Sequence, residues 1–158
     1  MDESTLKAGL YFTLITDGGD IDLLGEVNII PQATEGLGLL PSALGIVPGQ
    51  GRNRGRLYIC FDRVERLYRK QIAGMAQRKT YHSATIAQIL GYGLAHEIGH
   101  LLGLDAHSNR GIMRAPWRPN DLSNLAYGDL AFTPEEAANI RFEVELRQQA
   151  ATELQGEN

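Results

Sequence analysis

Cysteine is nearly missing from this chain, with Cys60 the only one. No internal disulfide can form, and zinc sites built from several thiolates are excluded. Positive charge is also in short supply. Lys and Arg number 15 against 19 Asp and Glu, a net charge of −4. No nucleic acid is therefore expected as a partner on charge grounds. No apolar run approaches the roughly 20 residues of a membrane span, so none is expected. The opening Met1-Asp2-Glu3 is acidic and the apolar piece after it is short. The chain therefore reads as having no secretory signal and is expected in the cytoplasm; a true start further upstream would make it an exported protein. Internal repeats are absent too.

What remains is one domain's worth of sequence. A chain of 158 residues buries about two-thirds of its unfolded surface on folding. The expected division is a single domain over residues 1–150 and a polar tail over 151–158, fraying from about Ala150. Basic residues cluster between Arg52 and Lys79, and the part from Asp121 onward is mostly acidic. This pattern reads as a solvated face and an acidic end. Arg52, Arg54 and Arg56 are better explained by solubility than by attraction of an acidic substrate.

Leu10 to Ile15 is rich in β-branched and aromatic residues and precedes the turn signal Asp17-Gly18-Gly19-Asp20, so a strand is expected there. A second strand is expected at Glu26 to Ile30, stopped by Pro31. Thr34 to Ser42 is glycine-rich and irregular, with a short turn of helix, and Leu44 to Val47 forms a short strand. A loop follows from Pro48 through Asn53. Leu57 to Phe61 is apolar throughout, as in a central strand buried on both faces. Asp62 with Glu65 fits a helix start, and Val64, Leu67, Tyr68 and Ile72 recur at helical spacing. Gly74 to Tyr81 reads as a polar connection. Ser83 is the expected cap of the next helix, which runs to about Gly103 with Leu90, Leu94, Ile98 and Leu101 as its apolar stripe. A coil containing Gly111, Met113, Pro116, Trp117 and Pro119 follows. The last helix starts at Thr133, with Pro134 at its first position, Glu136 completing a Thr-x-x-Glu box, and Ala137, Ile140, Phe142, Val144 and Leu146 on a broad apolar face.

The chemistry concentrates in His96-Glu97-Ile98-Gly99-His100-Leu101-Leu102-Gly103-Leu104-Asp105-Ala106-His107. Histidines four apart on a helix lie one turn above each other, so both rings reach one cation. Glu97 stands about 100° round the helix, beside a metal but outside its ligand shell. This is the H-E-x-x-H arrangement of zinc hydrolases. Gly103 ends the helix in a left-handed conformation and turns the chain back. Asp105 and His107 are then both placed to be a third ligand. Three ligands leave one position on zinc for water, whose pKa falls to about 7 there. Glu97 would take that water's proton and hand it to the leaving amine.

The segment resembles the metzincin zinc peptidases, whose pattern is H-E-x-x-H-x-x-G-x-x-H followed by a methionine in a turn beneath the metal. His96, Glu97, His100 and Gly103 match, and Met113 in Gly111-Ile112-Met113 matches the Met-turn. Ala106 falls on the third-ligand position and cannot bind zinc. His107 is one residue late and Asp105 one early; a one-residue insertion in a coil is easily absorbed and imidazole is the commoner ligand, so His107 is the expected third ligand. Leu44 to Val47, the glycine loop and Leu57 to Asp62 resemble the edge strand, loop and inner strand of matrixins. A group of small bacterial zinc peptidases is closer still. It is similar in Phe61-Asp62-Arg63-Val64-Glu65, in the late histidine of Ala106-His107-Ser108, in Gly111 to Ala115 with Trp117, and in the final Phe-Thr-Pro-Glu-Glu helix.

The resemblance implies an α+β domain: a small twisted mixed sheet, an active-site helix, a Met-turn and a C-terminal helix. It implies a zinc-dependent endopeptidase with Zn2+ on His96, His100 and His107, Glu97 as the catalytic residue, and a peptide or protein substrate added to the edge strand. The family's first strand and helix have no clear counterpart before Glu26. Tyr127 follows the Met-turn at a long spacing and reads as core packing, Trp117 as packing under the metal loop, and His82 as a surface residue. Two other functions fit a zinc site. One is hydrolysis of a non-peptide substrate, as in rRNA-maturation endonucleases with an H-x-x-x-H-x-x-G-x-D-H run; Glu97 and the acidic balance count against it. The other is a zinc-stabilised binding module without activity.

Overall fold

The computed structural model describes residues 6–16, 19–49, 55–78 and 82–156. The architecture is α+β, with four strands in one mixed sheet and four α-helices. Strand β1 (Leu6–Thr16) and strand β2 (Gly19–Ile30) form a long antiparallel hairpin. Its turn signal at Asp17-Gly18 lies outside the described residues. Both strands are longer than the apolar pattern suggests, because β1 pairs with β2 from Gly19 to Ile29. Only the Glu26–Ile30 half of β2 also pairs with β4 (Arg56–Cys60), in parallel. The two-residue β3 (Gly45–Ile46) lies antiparallel on the other side of β4. The sheet order is therefore β1-β2-β4-β3, with β3 at one edge. Among the described residues no helix precedes β2, and the β1–β2 hairpin fills that stretch.

β4 is the centre of the sheet, as its unbroken apolar run suggests. Leu57, Ile59 and Cys60 are fully buried. The strand stops at Cys60, and Phe61 already begins helix α1 (Phe61–Arg78). Asp62 thus sits inside the first turn instead of capping it, and its carboxylate accepts from Arg66 at 3.1 Å. α1 continues through Gly74 to Arg78, part of the stretch read as a connection; Lys79 to Tyr81 lie outside the described residues. Ile72, placed on the apolar stripe by its spacing, is 40% exposed. The short turn expected in Thr34 to Ser42 is a 3₁₀ turn at Glu35–Leu37. The loop from Gln50 to Arg54 lies outside the described residues, and Arg56 pairs with Glu26 at 3.0 Å.

Helix α2 (Ile86–Leu101) is capped by Thr85, two residues after the expected Ser83. The Gln88 amide donates to the Thr85 hydroxyl and the Thr85 amide donates to the Gln88 side chain. Gln88 stands three residues after the cap, the reciprocal spacing of a capping box, and Ser83 has no such partner. Its buried positions are Ile89, Gly93, His96, Glu97, Gly99 and Leu101. The expected stripe at Leu90, Leu94 and Ile98 is only partly buried. α2 is surrounded by β3, β4, α1 and α3, so no single stripe defines its inner face.

Helix α3 (Pro119–Tyr127) falls where a coil was expected. Pro119 suits its first position, the Asp121 carboxylate accepts the Arg118 amide at 2.7 Å, and Gly128 ends it with φ +79°. Asp121, Leu122 and Leu125 are its buried residues. Helix α4 (Pro134–Gly156) starts as expected. Thr133 and Glu136 satisfy each other's backbone amides at 2.8 and 3.2 Å. Ile140 and Val144 are buried against Leu102, Leu104 and Met113, while Phe142 is 62% exposed. α4 continues past Ala150 to Gly156, so the stretch read as frayed is helical that far. Among the described residues no helix is long and apolar enough to cross a membrane.

Burial pushes the Cys60 thiol above its ordinary pKa. Only a thiolate is nucleophilic. Native protein should therefore resist alkylation by iodoacetamide, while denatured protein takes up label at Cys60. Mass spectrometry of the two samples decides this, and fast labelling of native protein would contradict the covered position of β4.

Candidate metal centre

α2 carries His96 and His100 on successive turns, with ring centroids 4.9 Å apart. The third ring comes from beyond the helix end. Gly103 has φ +94°, its amide donates to the His100 carbonyl at 3.2 Å, and the Leu104 amide donates to the Gly99 carbonyl at 3.0 Å. These two bonds are a Schellman ending, in which a left-handed residue reverses the chain. The reversal presents the Leu104 carbonyl to His100 Nδ1, which donates to it. His107 then lies over the helix, its ring 5.2 Å from that of His96 and 5.0 Å from that of His100.

The next residues form a loop tied to itself. The Ser108 amide donates to the Met113 carbonyl at 3.1 Å, and the Ile112 amide donates to the Ala131 carbonyl at 3.0 Å. Gly111 has φ +71° and stands so close to the Ala131 carbonyl that a side chain there would collide with it. The loop aims the Ile112 carbonyl at His96 Nδ1, 2.7 Å away. Trp117 Nε1 donates to the same carbonyl at 3.0 Å. Met113 is fully buried, and its Sδ packs against Gly99 of α2.

Both α2 histidines thus give their Nδ1 protons to backbone carbonyls, which leaves each Nε2 as a lone pair. One nitrogen from each of His96, His100 and His107 falls within 4.8 Å of the others. His100 Nε2 and His107 Nε2 are 3.2 Å apart. Nitrogens bound tetrahedrally to zinc at about 2.0–2.1 Å would be about 3.3–3.4 Å apart, so this pair already has the required spacing. Burial pulls the His96 ring down to about 4, outweighing its carbonyl bond, so it is neutral as a ligand must be. Three imidazoles suit zinc, and other borderline metals as well. Asp105 lines the same cleft but is outside the nitrogen cluster.

Glu97 is 4% exposed, and burial pushes its carboxyl up to about 8. A cation beside it would favour the charged form instead. It faces β3, where Gly45 leaves room for it. A Cβ on Gly45 would lie 2.9 Å from Glu97 Cγ and 2.7 Å from Ile59 Cδ1. Pattern reading missed this role of Gly45, because a glycine at a strand start looks like any turn glycine. It also missed the carbonyls of Leu104 and Ile112, which every residue possesses. His96, Glu97, His100 and His107 open on a cleft of about 660 Å³, also lined by Leu39 to Val47, by Arg114 to Trp117 and by α1. Tyr127 lies away from it. It is 61% exposed and stacks on His82 at 4.9 Å, so it is not core packing.

Comparisons of the chain with protein-family models, curated proteins and solved structures found no match.

Two outcomes are expected. Purified protein should bind about one zinc per chain by calorimetry, His100→Ala and His107→Ala should lose it, and Asp105→Ala should keep it. Loss in the aspartate variant alone would reassign the third ligand. Gly99→Ala should be net destabilising, by up to about 2 kcal/mol, on chemical denaturation. The helix gains roughly 1 kcal/mol from alanine, but the new methyl would stand 2.6 Å from Met113 Sδ, an overpacking that costs about 1–3 kcal/mol.

Proposed function

We propose that this chain is a zinc-dependent endopeptidase with a metzincin-type catalytic domain. The observation that carries the reading is the convergence of His96, His100 and His107 beside buried Glu97, in a cleft open to a polymer substrate. The packing of Met113 against Gly99 of α2, between the two histidines in sequence, and the antiparallel edge strand β3 support it further. A zinc ion on the three imidazoles supplies a Lewis acid for the scissile carbonyl and makes nearby water acidic.

The chain's own groups do the rest. The Glu97 carboxylate takes the proton of the attacking water and passes it to the leaving amine, which needs one proton to depart. Its burial keeps competing water away and strengthens its response to nearby charge. Among the described residues β3 is terminal in the sheet, an edge to which an extended peptide adds. Gly45, with no side chain, keeps that edge close to Glu97. Leu44, Val47 and Trp117 give the cleft apolar surface for substrate side chains.

The test is turnover of an unfolded protein library by zinc-loaded protein. Wild type should cleave, and Glu97→Ala should retain zinc while losing about 10²–10⁴-fold in rate. Equal cleavage by both proteins would expose a contaminant. Bound zinc with no cleavage by wild type would point to a binding module and sink the peptidase reading.

A further inference from the structure

We propose that the cleft selects peptides bearing acidic side chains, and that Arg66 and Lys70 on α1 are the residues that receive the carboxylate. This rests on the peptidase reading for the role of the cleft. Arg63, Arg66, Leu67 and Lys70 all line the cleft that holds His96 and Glu97. Their spacing of three, four and seven residues puts them on one face of the helix. A stripe of basic residues on a convex helix face is ordinarily there for solvation. Here it forms one wall of a concave site of about 660 Å³.

The charges in this wall differ in how they are held. Arg63 donates to the carbonyls of Leu40 and Ala43 and so fastens the loop before β3 to α1. Arg114, also lining the cleft, is paired with Asp121 at 3.1 Å and is largely buried. Arg66 is exposed and shares Asp62 at 3.1 Å, and Lys70 is exposed. Asp62 and Asp121, which pair with Arg66 and Arg114, stand outside the lining of the cleft, and the carboxylates within it are Asp105 and buried Glu97. Arg63, Arg66, Lys70 and Arg114 outnumber them, in a chain whose net charge is −4. The cleft is thus a basic site in an acidic protein, a charge segregation that draws anionic partners. Leu67 lies among the basic groups and matches the methylenes of a glutamate, while Arg66 and Lys70 meet its carboxylate.

The test uses two fluorescein-labelled peptide libraries, identical except that one carries Glu where the other carries Gln. Binding to the zinc-loaded, full-length Glu97→Ala protein is read by fluorescence anisotropy. The Glu library should bind about five-fold tighter, as expected for exposed ion pairs. The preference should shrink between about 50 and 500 mM salt. Arg66→Gln/Lys70→Gln, checked for folding by circular dichroism, should bind both libraries alike and the Gln library as its parent does. Lys70→Gln alone, a change at an exposed position, should remove about half of the preference in free energy. Equal affinities in the parent, or a preference that survives both replacements, would overturn the proposal. Wild type that cleaves both libraries equally overturns it too and leaves the peptidase reading intact. A binding preference without any cleavage does the reverse.

Discussion

Two hydrogen bonds from imidazole to backbone govern this structure. His96 Nδ1 gives its proton to the Ile112 carbonyl and His100 Nδ1 gives its own to the Leu104 carbonyl. Each bond fixes a tautomer and a ring orientation at once. Neither acceptor belongs to α2. Leu104 arrives through the left-handed turn at Gly103, and Ile112 through the loop that Ser108 and Met113 close. The helix supplies the histidines, but the chain from Gly103 to Met113 decides where their lone pairs point. A rigid helix alone would leave two freely rotating rings.

Close approach is the second theme. Gly99 admits the Met113 sulfur against α2, Gly111 admits the Ala131 carbonyl, and Gly45 admits Glu97 against β3. Each glycine occupies a place where a methyl group would strike a neighbour. Gly99 also costs helix propensity of roughly 1 kcal/mol against alanine. The fold tolerates that cost in the last turn of α2 because burial of Met113, Leu102 and Leu104 against the helix end offsets it.

Much of this was legible in the residues. Apolar runs and periodicity located β4, α1, α2 and α4, although the stripe read on α2 is only partly buried because four elements surround that helix. The Thr133–Glu136 box read correctly because both halves of a capping box are local. The H-E-x-x-H spacing put His96 and His100 together for the same reason. α3 was missed because its signals, Pro119, Asp121, Leu122, Leu125 and Gly128, are spread thinly in a short element. Thr85 was passed over for Ser83, since either hydroxyl can cap and only the position of Gln88 distinguishes them. The extent of β1 and β2 depends on mutual pairing, which neither strand's pattern contains. The exposure of Tyr127 and Ile72 is likewise a matter of what packs over them.

Arg147 on α4 donates to the Leu101 carbonyl at 2.7 Å while held by Glu143 at 2.9 Å. It thereby places positive charge at the C-terminal end of α2, where the helix dipole favours it. With Ile140 and Val144 packed with Met113, this makes the last helix the floor of a cluster whose own side chains end at His107. During synthesis the three histidines leave the ribosome well before that floor does. The three rings and the loop that aims the Ile112 carbonyl are therefore made before the helix that packs against Met113, and gain that support only once α4 has followed them.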